Sequence, residues 1–274
     1  MKMFNLNSRL ARRATATIAL GLLLGAQTAM ACTVDNWTAN SNSMTLDSVI
    51  PGSPTAVSRY SGFCGMEVAP AAVSWVQDDS PGGIDRIRAR FYVLNDLAAG
   101  QSAQIYRGFG STTGSGPLFT VTLNDSGQVV LRDNVVVQSV SQSTATKWAS
   151  VEIDWSQGSG DGVISLSVNG QPAEVISNLS NSAGATLESV RLGNLNGAGG
   201  FLSFDAYESR RTTEIGRLLA CNADPSDEQI NILDALAVIN EINEVELSAG
   251  QPDCDEDGLV TILDALDIIN IINS

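Results

Sequence analysis

The sequence predicts a mainly β protein, an antiparallel β-sandwich followed by a small all-α module of two helices. Three observations carry this. From about Ser58 to Arg210, apolar and polar residues alternate in short runs. Clusters of Gly, Asn, Asp and Ser separate those runs. After Arg211 the alternation stops, and two segments repeat at a spacing of 30 residues with helical periodicity. Period-two alternation marks strands with one buried face, whereas recurrence at i, i+3, i+4 and i+7 marks an amphipathic helix.

The chain opens with Lys2, Arg9, Arg12 and Arg13, then the apolar run Ile18 to Leu24, then Ala29-Met30-Ala31. A positive start, a short apolar stretch and a small-x-small site are the parts of a secretory signal peptide, here residues 1–31. The apolar stretch is too short to span a bilayer. Export makes the even count of four cysteines a disulfide framework. Pairing within each proposed domain gives Cys32–Cys64 and Cys221–Cys254. Lipidation of Cys32 is the alternative processing, and it would leave Cys64 without that partner.

Charge is distributed unevenly. The formal net charge is −15, and the chain has no histidine. The segment from Cys221 holds thirteen Asp and Glu and no Lys or Arg, and the stretch between signal peptide and tail carries −6. An acidic chain of this kind argues against nucleic acid and anionic membrane as partners. The absence of histidine removes His-based catalytic triads and most catalytic zinc sites.

The strands follow in order. Ile87, Ala89, Phe91 and Val93 alternate with Arg86, Arg88, Arg90 and Tyr92. Phe119, Val121 and Leu123 form a second run, Val151, Ile153 and Trp155 a third, Ile164, Leu166 and Val168 a fourth, and Leu202, Phe204 and Ala206 a fifth. Turn residues at Asp125-Ser126-Gly127, Gly158 to Gly162, Asn169-Gly170 and Gly197 to Gly200 separate them. Two antiparallel sheets packed face to face satisfy such a pattern. The stretches Trp148 to Trp155, Val163 to Gly170, Val190 to Gly193 and Phe201 to Tyr207 together resemble the second half of a laminin-G or concanavalin-like jelly roll. That resemblance implies a domain over residues 32–210 and a lectin-like or glycosidase scaffold, since the fold hosts both. It also implies a polysaccharide ligand, with Trp37, Trp75, Tyr92, Tyr106 and Tyr207 as candidate stacking surfaces. Asp161, Asn194, Asn196 and Asp205 are candidates for a calcium site in that fold.

A linker over residues 211–220 leads to the repeat. Asn231 to Leu236 matches Thr261 to Leu266, and Ile239, Asn240, Ile242 and Asn243 match Ile269, Asn270, Ile272 and Asn273. Ile262, Leu266, Ile269 and Ile272 fall on one helical face, which predicts two helices burying those faces against each other. Upstream of the second helix, Asp253, Asp255, Asp257 and Asp264 stand at loop positions 1, 3, 5 and 12, with Gly258 at 6 and the carbonyl of Leu259 at 7. Calcium takes six to eight hard oxygens, and alternating carboxylates on a curled loop supply them. In the first copy, Asn222, Asp224, Asp227 and Asp234 hold similar positions, with one extra residue near Pro225 and Glu228 in place of the glycine.

Asp at position 12, the tandem copy and the absence of a helix before each loop resemble a dockerin over residues 221–274. The resemblance implies bound Ca2+ and docking to a cohesin-like or other protein partner. The residues before position 12 are Ile232-Leu233 and Ile262-Leu263 rather than Ser or Thr, which points to an apolar partner surface or to core positions. The leading reading is a secreted, non-catalytic attachment protein. The alternative is a glycoside hydrolase of concanavalin fold carrying a dockerin, with Glu152 and Asp154 as its candidate acids. These two project from one strand face, and a retaining glycosidase needs two carboxylates about 5 Å apart.

Overall fold

The computed structural model of the chain describes residues 33–41, 44–48, 59–182 and 186–274. The expected signal peptide, 1–31, and Cys32 lie outside the described residues. Among the described residues, two seven-stranded antiparallel sheets face each other. One runs in the spatial order β1 (Ala39–Asn40), β4 (Ser74–Asp78), β13 (Ser189–Asn194), β6 (Ser102–Phe109), β7 (Pro117–Asn124), β8 (Gln128–Asp133), β9 (Gln138–Ser143). The other runs β12 (Glu174–Ser180), β11 (Ser159–Val168), β10 (Trp148–Ser156), β5 (Arg86–Leu97), β14 (Gly200–Arg210), β3 (Cys64–Val68), β2 (Met44–Ser48). Two helices follow, α1 (Ile232–Ile242) and α2 (Ile262–Ile272). No helix among the described residues is long and apolar enough to cross a membrane.

The predicted alternation sets the core. Phe91, Val93, Val151, Ile153, Trp155, Ile164, Leu166 and Phe204 from one sheet meet Tyr106, Phe119, Val121, Leu123, Leu131 and Leu192 from the other. Each is essentially removed from water, contributing about 1.5–3 kcal/mol per large apolar side chain. Strand pairing keeps the phase: Val151 lies opposite Phe91 on one side and Val168 on the other, so a slip of one residue would expose the whole face.

The outer face of the second sheet departs from the expectation of a wetted surface. Arg90 is largely buried there, and Tyr92 and Trp148 are fully buried. Residues 211–220 form no helix or strand but lie strapped along this face. Glu152 accepts the amides of Ile215 (3.0 Å) and Gly216 (3.1 Å). Arg90 donates to the Gly216 carbonyl at 3.1 Å, and Leu218 N–H donates to the Tyr92 hydroxyl at 2.8 Å. The loop ahead of α2 reaches this face through Glu256, whose carboxylate accepts the Tyr60 hydroxyl and whose carbonyl accepts Trp148 N–H. The wet-face rule fails because it takes no account of the chain's own tail covering the sheet.

The helices also differ from expectation in rotation. Ala235, Val238, Ala265 and Ile268 form the module's buried seam with Ala223 and Cys221, whereas Ile262, Leu266 and Ile272 are 42–56% exposed. The caps explain the phase. Asn231 and Thr261 accept the amides of Leu233 and Leu263, while Asp234 and Asp264 reach back to the cap amides. This turns each Asp inward toward its loop and brings the alanine after it onto the seam. The Cys221–Cys254 disulfide joins the two loops, with Cα atoms 4.5 Å apart. Cys64 is also disulfide-bonded.

Candidate metal centre

The second loop brings Asp253, Asp255 and Asp257 together. Their carboxylate oxygens lie within 4.8 Å of one another, the only such group of acid, Cys or His side chains among the described residues. The backbone is curled to do this. Asp253 accepts Asp257 N–H (3.2 Å) and Gly258 N–H (2.9 Å), Asp255 accepts Asp257 N–H (3.1 Å), and Asp257 accepts Leu259 N–H (2.8 Å). Gly258 adopts φ +89°, a conformation that glycine takes without steric cost. Asp264 is not part of the three-carboxylate group. Its oxygens accept Cys254 N–H and Thr261 N–H, both at 2.7 Å, which closes the loop onto the start of α2.

Electrostatics mark this loop. Asp253 is 1% exposed, and burial together with the charges of Asp264, Asp255 and Asp257 pushes its carboxyl up to about 8. Burial raises Asp264 as well. A set of hard anionic oxygens held together against their own repulsion, with no cationic side chain among them, fits a divalent cation of the calcium type.

The first loop repeats the scaffold without the cluster. Asp224 N–H donates to Asp234 at 2.9 Å, Asn231 N–H donates to Asp234 at 2.8 Å, and Gln229 N–H donates to Asp227 at 2.8 Å. Each bond has a counterpart 30 positions on in the second loop, so the two loops keep one register from Asp224 to Asp234. Glu228 does not take the left-handed conformation of Gly258. The buried Oδ1 of Asn222, at loop position 1, lacks a hydrogen-bond partner, an acceptor available to a cation there.

Beyond the loops, the sequence-predicted candidates divide. Tyr92 and Tyr106 are buried packing residues, and Trp75 lies beneath Arg191 at 3.9 Å. Trp37 and Tyr207, with ring centroids 4.9 Å apart, line a cavity of about 500 Å³ together with Asp78 and Asp205. Burial pushes the Asp205 carboxyl up to about 6. Asn194 and Asn196 bond neighbouring backbone of their own loop and of β6, Asp205 accepts Tyr60 N–H and Ser61 N–H, and Asp161 is exposed, so these four do not assemble a second cation cage. Asp154 is paired with Arg86 (2.5 Å) and Arg88 (2.9 Å), and Glu152 holds the linker amides.

Sequence reasoning missed Arg59, Tyr60, Arg217 and Glu256. Arg59 is fully buried and donates to both carboxylate oxygens of Glu241 at 2.8 Å. Tyr60 stacks on Tyr92 at 3.6 Å and meets Trp148 edge-on at 5.6 Å. Tyr92 on the polar side of an alternating strand was the one available signal.

No protein-family model matches the chain, and no curated protein matches it. Among solved structures, the receptor-binding domain of botulinum neurotoxin type G superposes with a TM-score of 0.42 at 12% identity, over 63% of this chain and 44% of that one. Trypanosoma rangeli sialidase gives 0.41 at 10% identity, over 54% and 26%. The alginate lyase from Klebsiella pneumoniae gives 0.37 at 11% identity, over 54% and 81%. The chain thus spans less than half the length of the botulinum domain.

Proposed function

We propose that this is an exported attachment protein whose C-terminal module binds calcium, in the manner of a dockerin, and docks a protein partner while the sandwich engages a glycan. The carrying observation is the convergence of Asp253, Asp255 and Asp257 on a loop closed by Asp264. Those four carboxylates and the Leu259 carbonyl would hold the ion, which supplies charge neutralisation that lets the loop stay curled. Asn222, Asp224, Asp227 and Asp234 would form a second, poorer site. The pseudo-symmetric pairs Ile232-Leu233 and Ile262-Leu263 are 49–64% exposed. They offer an apolar face of the kind a cohesin-like partner would cover. Trp37 and Tyr207 beside the Asp78 carboxylate suit a sugar, with aromatic faces and an acceptor for hydroxyls.

Calorimetric titration of the purified chain with calcium tests the metal reading. At least one ion per chain is expected, with that binding lost on Asp253→Ala. No binding heat, together with an unchanged circular dichroism spectrum on adding calcium, would remove it.

A further inference from the structure

Glu256 lies between two proposed ligands, yet its side chain leaves the loop. It is 5% exposed, accepts the Tyr60 hydroxyl at 2.7 Å and pairs with Arg217 of the linker. Its carbonyl accepts Trp148 N–H at 3.2 Å. Its backbone sits at φ +60°, a region that non-glycine residues rarely occupy without being held there. Two residues on, Gly258 abuts β5 so closely that a Cβ would lie 3.0 Å from Leu94 Cδ1. The loop therefore has two outputs: Asp253, Asp255 and Asp257 turn inward, while Glu256 and Gly258 press on the sandwich.

We propose that this loop is a cation-operated latch, in which calcium occupancy and docking of the module on the Tyr60–Tyr92–Trp148 face are one linked equilibrium. The proposal rests on the calcium reading above. The curl that gathers three carboxylates is the same curl that aims Glu256 at Tyr60 and Arg217. Without a cation, repulsion among the gathered acids opposes the curl and so loosens Glu256. With the ion, module and linker stay on the sheet. Linkage makes the effect reciprocal: contacts at Glu256 strengthen calcium binding by the factor with which calcium strengthens docking.

Trypsin offers a direct readout, because Arg211 and Arg217 lie in the strap and no Lys or Arg follows Arg217. A cut there releases the whole module as one fragment of known mass. The expected result is protection of the strap in millimolar calcium and release roughly 5- to 150-fold faster in chelator. Glu256→Gln, and the milder Tyr60→Phe, are expected to weaken calcium binding by a similar factor and to speed release in calcium. Equal calcium affinity in the wild type and both variants, with tryptic release indifferent to calcium, would overturn the latch and leave the metal site standing. Absence of calcium binding in all three chains would overturn both.

Discussion

The Tyr60 hydroxyl and the Glu256 carboxylate meet at 2.7 Å across 196 positions of sequence. One belongs to the sandwich and the other to the loop that gathers Asp253, Asp255 and Asp257, and both are buried. The ring of Tyr60 is sandwiched into an aromatic cluster with Tyr92 and Trp148, and burial holds its hydroxyl protonated well above the usual phenol range. The hydroxyl is therefore a donor, and Glu256 is the acceptor it requires.

A second buried pair closes the same interface. Glu241, near the end of α1, accepts both bonds from Arg59 and also the Ser248 amide at 2.9 Å. Removing one member of a buried pair strands the other charge. Glu241→Ala is expected to cost about 3–5 kcal/mol, whereas Arg59→Met with Glu241→Leu together should cost far less. Urea denaturation of the three chains measures the difference.

The cation should act on stability by mass action. If the proposed site takes calcium, the ion at about 100 times its dissociation constant adds about 2.7 kcal/mol to the folded state. Thermal melts are expected to shift upward with calcium in the wild type and to stay fixed in Asp253→Ala. Magnesium should substitute poorly, since it demands tighter octahedral geometry and gives up its waters reluctantly.

Exposure separates the proposed docking positions from core positions on the helices. Leu233 and Leu263 are 49% and 58% exposed, while Val238 and Ile268 are fully buried. Leu233→Asp and Leu263→Asp should change stability by no more than about 0.5 kcal/mol. Ile268→Ala should cost about 2–5 kcal/mol through the cavity it leaves. Denaturant midpoints decide between them, and equal losses at all positions would show that the Ile-Leu pairs are packing residues.

The pH dependence of stability should carry the mark of Asp205. Burial raises its carboxyl from the ordinary 3.8 to about 6, so the folded state binds the proton more tightly than the unfolded chain. Stability from this group is fully present below about pH 4 and is lost as pH rises through 6, a change of about 3 kcal/mol at most. The difference in unfolding free energy between wild type and Asp205→Asn, followed from pH 4 to 7.5, is expected to narrow the wild type's advantage or widen its deficit with rising pH. A flat difference would contradict it.

Much of this architecture was legible from residue order. Alternation placed the inner faces of β5, β7, β10, β11 and β14, because each strand buries one side against a continuous core and local pattern records that. The spacing of Asp253, Asp255, Asp257 and Gly258 located the loop whose carboxylates converge, since that geometry is local. The helix faces were misread because Ile and Leu outnumber Ala and Val there. Hydrophobicity alone points to the bulky residues, while the capping aspartates fix the rotation. The aromatic interface was illegible for a different reason. Tyr60, Trp148 and Glu256 meet through tertiary docking alone, and none has a periodic companion that would reveal its partner.

The bond between Cys221 and Cys254, 33 positions apart, gives the module a closed covalent outline. A nick anywhere from Asn222 to Asp253 would sever the chain but not separate the pieces: both fragments would remain tied through the disulfide. A module built this way can be clipped between its two loops by a passing endoprotease and still hold its halves in place. Only a cut in the strap, ahead of Cys221, sets it free.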